Sequence, residues 1–596
     1  MRCLFIILGI GLLALVTLAR LFILSRWRAG WAMYLANVVW ETFPKKIGIR
    51  RFPLEAMAAG LGLVLLGMGG LPWGGVALVG ATLLGLEILN RRWERRLLDG
   101  DIPADLILTV EAPFTERLPR YRLGVLWVGR PFEIELIVSN PSEMATPSAV
   151  NVDLGGPVPW LQGSPAEKTF GHLPPGGIGR VQWTLRPDAC QGAGILEINV
   201  ECVGAIRRIR IEHDGCRSAK ETQIARASIS RYPGGRRCAL AWRGDMDLYD
   251  TLTMQSIAGL EVTLGLAARY AFPQTMCLST RLSLDAAAAR EWAAHAGQDH
   301  GAAEIPQFIE WMRAKVELRH AGAYPAQGAE KPYVMELGNH GHLHYDTATS
   351  SAPENGWKSH ARMGAGRYPW MGADATSFGE QRDNILEAAR WCERLLDFVP
   401  RSWAKPGRCN DADTARAAEA AGCEVLSGSD IRARDNVLFQ PPPHHPGGTS
   451  AVELTTRHPC DPQHIHHFGM LLFWLHRTRR RGMPMVFMCH QHMRQFEGQA
   501  CARFTEHFLR RALMDFQGEF RVDTLFGVGK YWREVLSAKT RRVAVSLEGA
   551  RIVVENRSDM DFERVPVDLE LADGGHSTRL VSVRSGETIV LDLPES

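Results

Sequence analysis

From Cys3 to Ile23 the chain is almost wholly apolar, interrupted by one charge at Arg20, and a run of that length is long enough to cross a ~30 Å hydrocarbon core. A second apolar run, Pro53 to Asn90, is nearly twice one span and holds Gly69-Gly-Leu-Pro-Trp-Gly-Gly75 near its middle, which predicts a hairpin of two short membrane helices. Residues 1–100 therefore read as a transmembrane anchor with three crossings. A cleaved signal peptide followed by the hairpin is the alternative. Arg26, Arg28, Lys45, Lys46, Arg50 and Arg51 lie between the first run and the hairpin, and Arg91, Arg92, Arg95 and Arg96 follow it. The positive-inside rule places both clusters in the cytoplasm, whereas an odd number of crossings with Met1 inside places everything after residue 100 outside.

A chain of 596 residues is too long for one core, and at ~100 to 200 residues per domain it divides into three or four units. From about Asp105 to Glu212 short runs such as Phe132-Glu-Ile-Glu-Leu-Ile-Val138, Val181-Gln-Trp-Thr-Leu185 and Leu196-Glu-Ile-Asn-Val200 alternate apolar and polar. That is the pattern of half-buried strands, and it predicts an immunoglobulin-like β-sandwich over 105–215. After Ala538 the same texture returns, in Arg551-Ile-Val-Val-Glu555 and Val565-Pro-Val-Asp-Leu-Glu-Leu571 among others, and predicts a small β-sandwich over 540–596 that acts as a cap. The net charge of +3 and the absence of a long basic block argue against nucleic-acid binding. Twelve scattered Cys form neither a zinc motif nor a disulfide framework.

Chemistry concentrates between these units. Met335-Glu-Leu-Gly-Asn-His-Gly-His-Leu-His-Tyr-Asp346 carries His340 and His344 four apart where a short apolar run breaks into a turn. Imidazoles at that spacing on a helical turn can share one cation. Upstream, the expected strand Cys238-Ala-Leu-Ala-Trp242 runs into Arg243-Gly-Asp-Met-Asp247. Its two carboxylates, Asp245 and Asp247, share one face in extended chain, so one can bind a cation while the other takes a proton from water. Downstream, Met485-Val-Phe-Met-Cys-His490 reads as a strand delivering a His at its end, with His492 as the alternative.

Taken in order, the strand with its acidic pair, Gly338-Asn-His-Gly-His-Leu-His344, the turn at Pro406-Gly407 and the late His resemble the polysaccharide deacetylases of NodB type, a carbohydrate esterase family. The resemblance covers roughly residues 230–535 and implies an α/β deformed (β/α) barrel. It implies Asp245 as catalytic base and Asp247, His340 and His344 as ligands of one divalent metal, with zinc expected. His490 becomes the acid that protonates the leaving amine. His342 is not part of the family pattern. The family's Arg-x-Pro element, whose Arg orients the catalytic Asp, falls on Ala404 when anchored on Pro406, so Lys405 or Arg408 would have to substitute. Asp430, ending Glu424-Val-Leu-Ser-Gly-Ser-Asp430, resembles the fourth motif and joins them as an orienting candidate. Excess length around Asp285 to Lys331 predicts an inserted helical segment or lid.

The chain is thus expected to be a multidomain, multi-pass membrane protein whose metal-dependent barrel hydrolyses N-acetyl or O-acetyl groups of a cell-envelope or extracellular polysaccharide. The catalytic domain is expected on the extracytoplasmic side, with an acetylated polymer and the membrane as partners. The alternatives are a hydrolase of a non-sugar amide on the same barrel and an inactive glycan-binding relative.

Overall fold

A computed structural model describes most of residues 106–592. Outside the description lie residues 1–105 apart from one position, 593–596, and internal stretches that include 247–256, 291–304, 316–334, 344–376, 407–409, 429–441, 458–464 and 491–498. The expected membrane spans, about 3–23 and 53–90, lie outside the described residues, and among those described no helix is long and apolar enough to cross a membrane. Much of the expected insertion between Asp285 and Lys331 also lies outside.

The centre of the molecule is a closed barrel of parallel strands: β1 (Cys238–Met246), β2 (Gln274–Leu278), β3 (Met335–Asn339), β4 (Ser402–Ala404), β5 (Val425–Gly428), β6 (Val452–Arg457) and β7 (Pro484–Cys489). Each pairs with the next in chain order, and β1 pairs with both β7 and β2, which closes the ring. An eighth strand, β8 (Phe520–Asp523), pairs with Cys238 to Ala241 of β1. It takes the place that β2 occupies further along, where the β1–β2 register starts at Trp242.

Side chains alternate strictly across the barrel wall, as the pleat requires. Cys238, Leu240 and Trp242 of β1 and Met485, Phe487 and Cys489 of β7 pack outward against helical residues such as Leu471, Trp474 and Phe508. Trp242 stacks on Phe487 at 5.5 Å between ring centres and meets Phe272 edge-on at 6.2 Å, contacts worth about 0.5–1.5 kcal/mol each beyond area burial. Ala239, Ala241, Val425, Val452, Leu454 and Val486 face inward, and Leu525, Phe526 and Val528 pack into the same cluster. These last three belong to α2 (Leu525–Tyr531), whose start is capped by the Thr524 hydroxyl accepting from Gly527 N–H. A further helix, α1 (Phe378–Leu396), begins with a capping box between Ser377 and Glu380 and buries the stripe Gln381, Ile385, Ala388, Ala389, Cys392 and Leu396.

Between residues 107 and 217 a three-stranded and a five-stranded sheet share one apolar core containing Val110, Leu136, Trp183, Val152, Ile198 and Ile211. After the barrel, strands Val543–Glu548, Arg551–Asn556 and Thr588–Asp592 form one small sheet. Phe562–Leu571 and His576–Val583 form another, whose edge is Ile224–Ile229, a strand from before the barrel. The carboxy-terminal unit therefore draws a strand from more than three hundred positions upstream, and its core is continuous with the barrel floor.

Candidate active site at the carboxyl ends of the barrel strands

The acidic pair was expected at a strand-to-loop break after Trp242. In the structure β1 instead runs on to Met246, because β7 pairs with it as far as Gly244 and β2 as far as Met246. Arg243 and Asp245 are therefore strand residues two apart on the inward pleat, with Trp242 and Met246 turned to the outer layers. Both are buried, Arg243 fully and Asp245 at 4% exposure. Arg243 Nε donates to Asp245 Oδ1 at 2.7 Å and Nη2 donates to Oδ2, a two-pronged ion pair. The remaining guanidinium nitrogen, Nη1, donates to Ser427 Oγ at 2.9 Å, Thr456 Oγ1 at 3.1 Å and Ser427 O at 3.3 Å.

His340 follows the last residue of β3 and is 1% exposed. Its Nδ1 lies 2.7 Å from the carbonyl oxygen of Ala404, which can only accept, so Nδ1 carries a proton and, in the neutral ring, the lone pair is on Nε2. Nε2 lies 4.0 Å from Asp245 Oδ2. A neutral imidazole whose second nitrogen is fixed by a backbone carbonyl is the form that ligates a metal.

The turn carrying His340 is stitched to α1. Asn339 donates from Nδ2 to Ile385 O at 2.9 Å and accepts at Oδ1 from Gly341 N–H at 2.8 Å. Asn384 accepts from Leu343 N–H at 2.7 Å, donates to Leu343 O at 3.0 Å, and offers its carbonyl to His342 N–H at 3.2 Å. Gly341 sits at φ 87°, where a Cβ would lie 2.8 Å from Asn384 Nδ2 and 2.9 Å from Leu343 O, so the position admits only glycine without movement. His342 turns away from the mouth. Its ring stacks on Trp391 and its Nδ1 is 3.1 Å from Thr280 Oγ1, and burial holds its pKa below the ordinary His value.

Of the other expected site residues, His490 follows β7 directly and is half-buried. Lys405 is buried, with its backbone N–H donating to Ser427 O at 3.2 Å. Asp247, His344, Arg408, Asp430 and His492 lie outside the described residues. Among the described residues no group of three or more His, Cys, Asp or Glu is placed to hold a metal, since two of the three expected ligands are not among them. His340, with its tautomer set, fits a metal site; it is the part of the expected set that the structure describes.

Two residues went unread in the sequence. Arg243 had a signal: a charge two positions before a carboxylate at the end of an apolar run. Glu336 on β3, 2% exposed, is the other. It accepts from Thr275 Oγ1 at 2.8 Å, from Phe526 N–H at 3.0 Å and from Ser402 Oγ. Burial outweighs these donors and pushes its pKa up to about 7.

No protein-family model and no curated protein matches this chain. Solved structures do. A protein assigned as a polysaccharide deacetylase from Mycobacterium smegmatis is 16% identical over 52% of this chain and 95% of its own, with a TM-score of 0.33. PuuE allantoinase is 14% identical over 51% and 93%, with a TM-score of 0.29. A family 4 acetyl xylan esterase from Clostridium thermocellum, solved with a cobalt ion, is 10% identical over 49% and 89%, with a TM-score of 0.23.

Proposed function

We propose that this protein is a membrane-anchored, metal-dependent deacetylase acting on N-acetyl groups of a cell-envelope or extracellular polysaccharide. The observation that carries the reading is the meeting of a buried carboxylate, Asp245, with a His340 imidazole of fixed tautomer, 4.0 Å apart at the carboxyl ends of a closed parallel barrel. That is the end at which such barrels place their chemistry. Asp247, His340 and His344 would hold the cation, which when bound supplies Lewis-acid polarisation of the acetyl carbonyl. Asp245 accepts the proton of the attacking water, and His490 gives a proton to the departing sugar nitrogen as the carbon–nitrogen bond breaks. Acetate and a free amine leave, and no covalent enzyme intermediate is required.

The test uses the full chain in detergent. It is expected to carry about one divalent ion per molecule and to release acetate from an N-acetylchitooligosaccharide. His340→Ala is expected to lose both. A parent protein without stoichiometric metal, together with a His340→Ala variant whose acetate release matches it, would sink the reading. The site is proposed to face outward, since acetylated envelope polymers lie there. Alkaline phosphatase fused after residue 100 should be active, and an inactive fusion would place the site inside.

A further inference from the structure

We propose that Arg243 is the positioning residue for the base Asp245, supplying from the base's own strand the guanidinium that the resemblance assigns to position 404. The inference rests on the proposed reading of Asp245 as the base.

The two side chains are two apart on one pleat, so the arginine can fold along the inner wall and meet the carboxylate with both prongs of its fork, Nε on Oδ1 and Nη2 on Oδ2. A two-pronged pair fixes the plane of the carboxylate as well as its distance. The fork is itself fixed. Its third nitrogen is held by Ser427 on β5 and Thr456 on β6, and those two hydroxyls lie 2.6 Å from each other. Asp245 is thus braced through Arg243 against strands with which β1 does not pair.

Position 404 leads to the same place. Ser402 turns inward to Glu336, so Ala404, two further on, shares that face. It is fully buried and stands opposite Ser427 in the β4–β5 register. A guanidinium rooted at 404 would arrive beside the hydroxyl that now receives Arg243 Nη1. The two positions are alternative roots for one charge, which accounts for an alanine at 404 without a loss of function. A purely structural ion pair would neutralise Asp245 equally well from any direction. It would need neither the fork nor the bracing hydroxyls, and it would not depend on guanidinium geometry.

Three variants separate these cases: Arg243→Lys, which keeps the charge and loses the fork; Arg243→Ala; and Arg243→Ala with Ala404→Arg. With N-acetylchitooligosaccharide as probe, Arg243→Lys is expected to lower kcat roughly 100-fold or more, the scale of a misplaced catalytic group. KM should stay within about threefold and metal content should be unchanged. The double variant is expected to recover at least about tenfold over Arg243→Ala. Crystal structures of the parent and of Arg243→Lys give a readout free of turnover, in which the Asp245 carboxylate should rotate out of its present plane. If the parent releases no acetate, the proposed function fails while the crystallographic comparison still decides the positioning role. An active parent with a near-normal kcat in Arg243→Lys, or an Asp245 carboxylate unmoved in that variant, overturns the inference.

Discussion

Replacing Glu336 by Gln converts a buried ionisable group into a neutral isostere, and the consequence for stability can be worked from the structure. Burial raises the Glu336 carboxyl from 4.5 to about 7 despite the hydroxyl and backbone donors around it. Below about pH 4.5 the group is protonated in both the folded and unfolded states and contributes no pH dependence. Between about 4.5 and 7 the unfolded chain releases the proton while the folded barrel retains it, so stability falls as pH rises. Above about 7 both states are ionised and the cost is constant. A shift of this size corresponds to about 3 kcal/mol in full, of which about 2–3 kcal/mol falls between pH 5 and 8. Urea unfolding of the full chain can be followed by the fluorescence of the buried Trp242, Trp403 and Trp474. In that assay Glu336→Gln should gain on the parent by this amount on going from pH 5 to 8. Other titrating groups cancel in the difference. A stability gap that is the same at both pH values to within about 0.5 kcal/mol would refute the argument that Glu336 is held protonated by burial.

Gly341→Ala places a Cβ against Asn384 and Leu343 in a left-handed backbone; it is expected to cost about 1–3 kcal/mol and to lower metal uptake, read by urea denaturation and elemental analysis. Ser377→Ala removes the cap of α1 and should cost about 1 kcal/mol, with faster amide exchange in the His340 turn that this helix holds. Asp559 forms ion pairs with Lys530 and Arg401, which outweigh its partial burial and hold its carboxyl below the ordinary Asp range. Its contribution is present above about pH 4 and is lost as pH falls further, so Asp559→Asn should lower the thermal midpoint at pH 7 and flatten its decline in acid.

What the sequence discloses and what it hides divide along one physical line. A residue whose role is set by its neighbours in the chain is readable, as with His340 just beyond a short strand. Strands of the small sheets announce themselves by alternation, because one face is wet. Closure of the barrel removes that signal. All nine residues of β1 are buried, so the polar residues at its end look like the start of a loop, although they pair on both sides. Arg243 could be noticed but not interpreted, since its partners beyond Asp245 lie on β5 and β6, some two hundred positions away. Ile224–Ile229 could not be assigned to the carboxy-terminal sheet for the same reason.

The bore of the barrel explains why these hidden residues matter together. Its floor is aliphatic, with Ala241, Val452, Leu454 and Val486 packed against Phe526 and Val528. Above it the wall holds Glu336 among neutral donors, the Arg243 guanidinium among hydroxyls, and Asp245 beside His340. The Glu336 carboxyl, whose hydrogen bonds come from hydroxyls and a backbone N–H, is pushed toward its neutral form, while Asp245 has a guanidinium against both oxygens. The hydroxyls of Ser427 and Thr456 hold the charge that holds the base. Ser427→Ala with Thr456→Val should therefore lower kcat about tenfold or more through Arg243, with metal content and KM little changed. An unchanged kcat would mean that the fork keeps its place without its braces, and that the ion pair alone suffices.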